Sequence, residues 1–187
     1  MNMKYKEYQT KTGKPIRLFN GDCMKYMEGI ADDAYDLAII DPPYGIGADK
    51  AMGYKNNREN KNKWIGSDNW DKKPGKEFFK LLFKVSKNQI IWGGNYFDLI
   101  ETRCFIIWDK VNRTCFADAE IAWSSFNKPI RIYKYSSSKL QGFMNPDRFH
   151  PTEKPVDLYR WLLQNYAESG DRILDTHGGS MSLAIAC

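Results

Sequence analysis

The run Asp36-Leu-Ala-Ile-Ile40, followed at once by Asp41-Pro42-Pro43-Tyr44, constrains this chain more than any other stretch of it. A nearly continuous apolar segment of that length reads as a strand buried on both faces, the kind found inside a parallel sheet. Two successive prolines offer no ladder N–H and stiffen the backbone, so the chain must leave the sheet directly after Ile40. In open parallel sheets, ligands gather outside the carboxyl ends of the strands. Asp41 and Tyr44 are therefore expected at a crevice, with the carboxylate, the Pro42 carbonyl and the ring held in a fixed relation. That set suits a planar ligand bearing an amino group. The carboxylate and the carbonyl accept its two N–H bonds, and the ring covers its face. The competing reading is a proline-stopped strand with an incidental aspartate.

The rest of the chain alternates strand-like and helix-like segments. Residues 16–19 read as a short strand closed by Asn20-Gly21-Asp22, and a short helix is expected at about 23–29. Phe78, Phe79, Leu81, Leu82, Phe83 and Val85 give an apolar face to a helix over 75–87. Strands are expected at 89–92 and 104–108. Those at 119–125 and 130–135 alternate more and are expected to form an antiparallel pair at one edge. After a polar loop at 136–152, Thr152 is placed as an N-cap and Pro155 in the first turn of a helix running to about 167. A buried strand at 172–175 leads into a glycine turn, and Met181 opens a further helix. The pattern predicts a three-layer α/β fold with a mostly parallel sheet. With 187 residues, 42% of them hydrophobic, a single domain spanning 1–187 is expected.

Residues 45–74 show no periodicity, and so long a stretch in a compact domain is usually functional. From Gly45 to Lys76 there are eight basic residues against four acidic ones, which is most of the chain's net charge of +5. Such an excess fits a polyanion partner. Trp64 and Trp70 are candidate wedge or core residues. The loop 136–149, with Lys139 and Arg148, is a second candidate contact. Cys23, Cys104, Cys115 and Cys187 form no C-x-x-C pair, and only His150 and His177 could join them at a metal. No zinc site and no disulfide framework are expected. No signal peptide and no membrane-spanning run are visible, so a cytoplasmic location is expected.

Two further segments gain meaning beside Asp41-Pro42-Pro43-Tyr44. Ile173-Leu174-Asp175 runs into Thr176-His177-Gly178-Gly179-Ser180, a strand and glycine turn that allow close backbone approach to a ligand. No G-x-x-x-x-G-K-[ST] or G-x-G-x-x-G pattern is present, which disfavours phosphate cradling. His150-Pro151-Thr152-Glu153-Lys154-Pro155 precedes the helix at 156. Alone, it reads as a capped helix start.

Taken in this order, with Gly21-Asp22-Cys23 upstream, the segments resemble the β-class amino-methyltransferases of DNA. In that family the catalytic motif precedes the cofactor loop, and the resemblance covers nearly all of 21–187. It implies a Rossmann-like S-adenosylmethionine-dependent methyltransferase fold, apparently truncated at the C-terminus, because the family continues to a strand whose terminal acid binds the ribose hydroxyls. It implies that Asp41, Pro42 and Tyr44 hold a flipped target base, with Pro43 keeping the loop rigid. Asp175, Gly178, Gly179 and Ser180 would line the methionine end of S-adenosylmethionine. Thr152 and Lys154 would lie on its carboxylate side, and Asp22 at its adenine ring. The Asp-Pro-Pro-Tyr form points to adenine N6, with cytosine N4 and a catalytically silent DNA-binding remnant as alternatives. The cofactor loop departs from the family's D-P-F-x-G-S-G-T: Thr176, His177 and Met181 stand in place of Pro, Phe and the second Gly. Double-stranded DNA is the implied partner, with Lys55, Arg58, Lys61 and Lys63 meeting phosphates. A homodimer is one way for so small a member to cover its DNA, and a bacterial or phage origin is expected.

Overall fold

The computed structural model describes residues 5–47, 71–111, 117–136 and 153–187. Six strands form the main sheet: β3 (Tyr35–Ile40), β4 (Ser86–Trp92), β5 (Cys104–Asp109), β6 (Ala119–Ser124), β7 (Arg131–Lys134) and β8 (Ile173–Leu174), in the order β7-β5-β6-β4-β3-β8. Strand β3 is parallel to both β4 and β8, and β5 is parallel to β7. Strand β6 is antiparallel to both β4 and β5. Five strands therefore run one way and β6 runs against them.

The expected antiparallel pairing of 119–125 with 130–135 does not occur. Strand β5 lies between them, and β7 takes the edge, parallel to β5. Both segments alternate in polarity, but local alternation does not encode which neighbour a strand finds. Strand β6 is instead central, its Ala122, Trp123 and Ser124 buried between β4 and β5.

Side chains alternate across the sheet, and each face carries a helix layer. Leu37 and Ile39 join Ile90, Trp92, Ile106 and Trp108 on one face. There they meet α3 (Val156–Tyr166), whose stripe Leu158, Tyr159, Leu162 and Tyr166 is buried, and α4 (Ser182–Ala186). Ala38, Ile40 and Ile91 face the other way. They cover α1 (Cys23–Glu28) through Met27 and α2 (Lys76–Val85) through Phe78, Phe79, Leu82 and Val85. Helix α2 ends and β4 begins without a loop. Ser86 turns the chain, and its hydroxyl donates to the Leu82 carbonyl at 2.6 Å.

Two local expectations change. Pro155 is the N-cap residue of α3, one position before its first turn, and makes no side-chain cap. Thr152, expected as the cap, lies outside the described residues. The strand read at 16–19 is β2 (Pro15–Phe19), which belongs to a separate hairpin with β1 (Tyr5–Gln9). Every residue of β1 is exposed, so no burial pattern marks it in the sequence. Tyr5 and Tyr26 flank the ring of Phe19, with centroids at 5.3 and 4.8 Å, and this contact ties the hairpin to α1. Among the described residues, no helix is long and apolar enough to cross a membrane.

Candidate active site

The strand order brings the carboxyl ends of β4, β3 and β8 side by side at one edge of the sheet. Asp41 leaves β3, Gly93 leaves β4 and Asp175 leaves β8. Because β6 is reversed, its amino-terminal end lies at the same edge, with Glu120 paired opposite Trp108 of β5. Lys110 follows the end of β5, and Lys154 stands just before α3. These segments enclose a cavity of about 700 Å³. Its wall includes Asp41, Pro42, Pro43, Tyr44, Lys154, Gly178, Gly179 and Ser180.

A local device holds Tyr44. Gly93 sits at φ +68, and a Cβ there would lie 2.2 Å from Tyr44 Cε1. Glycine is thus required twice over, for its backbone conformation and for the ring packed against it. The Tyr44 ring stacks on Tyr96 at 5.1 Å and 20°, with Phe97 edge-on at 6.2 Å. Its hydroxyl donates to Asp41 Oδ1 at 2.8 Å. Burial and the neighbouring Asp41 carboxylate push the Tyr44 hydroxyl well above its ordinary range, so it stays a proton donor.

The other Asp41 oxygen is also engaged. Lys154 Nζ lies 2.5 Å from Asp41 Oδ2 and 3.0 Å from Glu120 Oε2. Lys110 Nζ closes the series at 2.8 Å from Glu120 Oε1. Lys154 is only 4% exposed. Burial alone would strip its proton, but Asp41 and Glu120 outweigh that and hold it charged, above the usual lysine range. Burial would likewise neutralise Glu120, yet Lys154 and Lys110 hold its carboxyl down to about 2.

The glycine turn is different in kind. Asp175 accepts the backbone N–H of His177 at 2.9 Å. Burial, reinforced by the charge of Asp41, nevertheless pushes its carboxyl up to about 7. Burial drives the His177 imidazole down to about 4, so it is neutral at physiological pH, with its ring edge-on to Phe78 at 5.5 Å. Met181, where the resembled pattern has glycine, adopts φ +62. The backbone has kept the left-handed geometry that glycine favours, and methionine carries the strain.

Of the expected site residues, Asp41, Pro42, Pro43, Tyr44, Lys154, Gly178, Gly179 and Ser180 share the cavity wall. Asp175 follows β8 outside the wall and accepts the backbone N–H of His177, which does line the cavity. Asp22 is not in the wall. It is exposed and caps α1, accepting Met24 N–H at 2.8 Å. Thr152, Lys55, Arg58, Lys61 and Lys63 lie outside the described residues, as do Trp64, Trp70, Lys139 and Arg148. Sequence reading missed Glu120, Lys110, Tyr96 and Tyr159. Glu120 and Lys110 reach the site only because β5 and β6 are central, which no local signal discloses.

No family model matches the chain. It is 24% identical to the type II methyltransferase M2.MboI of Moraxella bovis, over 98% of this chain and 83% of that protein. It is 22% identical to YubD of Escherichia coli (strain K12), which carries "methylase" in its name, over 91% of this chain and 78% of that one. Among solved structures it is similar to a protein of Thermus thermophilus described as a DNA modification methylase. That likeness has a TM-score of 0.47 at 15% identity and covers 89% of this chain and 81% of that one.

Proposed function

We propose that this protein transfers a methyl group from S-adenosylmethionine to an exocyclic amino group in DNA, with adenine N6 as the target. The observation that carries the reading is the convergence of Asp41, Pro42 and Tyr44 with the Gly178–Ser180 turn on one cavity of about 700 Å³. Small-molecule pockets span roughly 300–1,000 Å³, so this volume suits a cofactor together with one base. Relatives named as a methyltransferase and a methylase support the methyl-transfer part. The aspartate at position 41 supports adenine over cytosine through the family pattern it resembles.

The residues present fit the cofactor. Gly178 and Gly179 line the cavity, and a Cβ at Gly178 would fall 2.9 Å from the Met181 sulfur, so this part of the turn is kept to bare backbone that a ligand can approach. Gly178, Gly179 and Ser180 would hold its methionine end, with Asp175 behind them. When bound, it supplies an electrophilic methyl group on a cationic sulfur.

The chain's own part is to prepare the nucleophile. An exocyclic amino nitrogen is a poor one, because its lone pair is delocalised into the ring. Donation of its N–H bonds to Asp41 and to the Pro42 carbonyl localises that pair. A carboxylate facing the positive charge that develops on nitrogen stabilises the transition state, and fixed positioning supplies much of the remainder. Tyr44 and Tyr96 offer aromatic surface to a base drawn out of the stack. Such stacking is worth ~1–3 kcal/mol per base, comparable with the few kcal/mol that flipping costs. Lys55, Arg58, Lys61 and Lys63 would meet phosphates, which position the protein without reading sequence. DNA affinity should then fall steeply with salt.

The test is transfer of a labelled methyl group to adenine-containing duplex DNA, followed by nucleoside analysis. N6-methyladenine is expected, reduced at least ~10²-fold in Asp41→Ala. N4-methylcytosine as product would move the target to cytosine. Unimpaired transfer by Asp41→Ala, or none by the folded wild-type protein, would sink the mechanism.

A further inference from the structure

Buried Lys154 and the half-buried charges around it on the cavity wall form an alternating series: Lys110, Glu120, Lys154, Asp41. Their links are 2.8, 3.0 and 2.5 Å long. The four side chains come from four places in the chain, after β5, on β6, before α3 and after β3, and all four line the same cavity. The three protons of Lys154 Nζ have three acceptors, because the Tyr44 hydroxyl lies 3.3 Å away in addition to the two carboxylates. The series carries two positive and two negative charges and is neutral as a whole.

We propose that Glu120 is a positioning residue that keeps this four-membered series electrically neutral, holding Lys154 on Asp41 and Lys110 on itself, so that the series does not repel a cationic ligand from a cavity that Asp71 and Glu153 also line. The proposal rests on the methyl-donor reading above for the identity of that cation. Without the Glu120 carboxylate, the two ammonium groups of the series would be left with the Asp41 carboxylate alone, and the series would carry one net positive charge. The unbalanced charge then faces any sulfonium that enters. At an effective dielectric constant near 20 and a separation of ~6 Å, one such charge changes affinity by about a hundredfold. Removing Lys110 as well restores neutrality. A side chain that only filled space or made one hydrogen bond would gain nothing from that second deletion.

The experiment compares S-adenosylmethionine with S-adenosylhomocysteine, which differ in the charge on sulfur, by calorimetric titration of the full chain. Their affinity ratio cancels contributions common to both. In Glu120→Gln the ratio should shift about a hundredfold against the sulfonium. In the double variant Lys110→Gln/Glu120→Gln it should return to within a few-fold of wild type. Lys110→Gln alone should shift it the other way, and this variant serves where Glu120→Gln does not fold. A ratio unmoved by Glu120→Gln or by Lys110→Gln overturns the proposal, as does a double variant no better than Glu120→Gln. If the ratios move as expected while the wild-type protein transfers no methyl group to DNA, the DNA reading falls and the role of Glu120 in the series stands. If DNA is methylated but the ratio ignores Glu120, the reverse holds. Binding of neither compound by wild type overturns both.

Discussion

The ends of β3 and β8, side by side in the sheet, treat charge in opposite ways. At the Asp41 end, burial is met by pairing: Lys154 and Glu120 stay ionised against a strong desolvation penalty because each has counter-charges within 3.0 Å. At the Asp175 end, burial meets no counter-ion among the described residues. The carboxyl rises to about 7, and the neighbouring imidazole falls to about 4. The first keeps its charges by pairing them. The second, without a counter-ion, is driven toward the neutral form of both groups.

The contrast can be broken most forcefully at Lys154. Lys154→Met leaves the half-buried Asp41 and Glu120 without their shared, fully buried ammonium, and the loss of one member of a buried ionic network typically destabilises by ~3–5 kcal/mol. Chemical denaturation at neutral pH should show that loss, and a change below about 1 kcal/mol would mean that the network is spectator to stability.

Next in size is Asp175→Asn, which tests the opposite end. A carboxyl raised from 3.8 to about 7 makes the folded state bind more protons than the unfolded state across that window. Stability is therefore lost as pH rises from about 4 to about 7, and the loss persists above it. The asparagine variant should be more stable than wild type at pH 8, by up to a few kcal/mol, and little changed at pH 4. Melting curves at the two pH values decide the point, and equal gains at both would refute it.

Gly93→Ala probes what positions the first end. Its Cβ would fall 2.2 Å from Tyr44 at a left-handed backbone angle. About 1–3 kcal/mol of stability should go, with methyl transfer falling further than stability alone explains. Smallest is Tyr96→Leu, which removes the ring stacked on Tyr44. The expected result is a weaker DNA KM, by about tenfold if one base contact of ~1–3 kcal/mol is reduced, with kcat less affected. A kcat effect as large as the KM effect would assign Tyr96 to the chemistry instead.

The same two ends show what sequence can reveal. Asp41-Pro42-Pro43-Tyr44 and Asp175 to Ser180 were legible because each is a strand end followed by a special turn, and both signals are local. The sandwich of two helix layers around a mostly parallel sheet was legible for the same reason. Glu120 and Lys110 were not, because their place in the site depends on β6 lying between β4 and β5. Pairing 119–125 with 130–135 would have left Glu120 at the margin of the sheet. Strand β1 was invisible since Tyr5 to Gln9 buries nothing and is held by its hairpin partner. The neutral state of His177 depends on packing near Phe78, from another helix.

The join between β3 and β8 also sets an order of events. Leu37 pairs with Ile173, and the Arg172 N–H reaches the Asp36 carboxylate across 136 residues of chain. Contacts so remote in sequence are the slow ones to form, since a long loop must close before they return any stabilisation. During synthesis the Asp41 corner leaves the ribosome early, while the glycine turn that completes the cavity is made much later. A half-made chain thus holds one wall of the cavity without the other, and the cavity is complete only when its two distant halves have met.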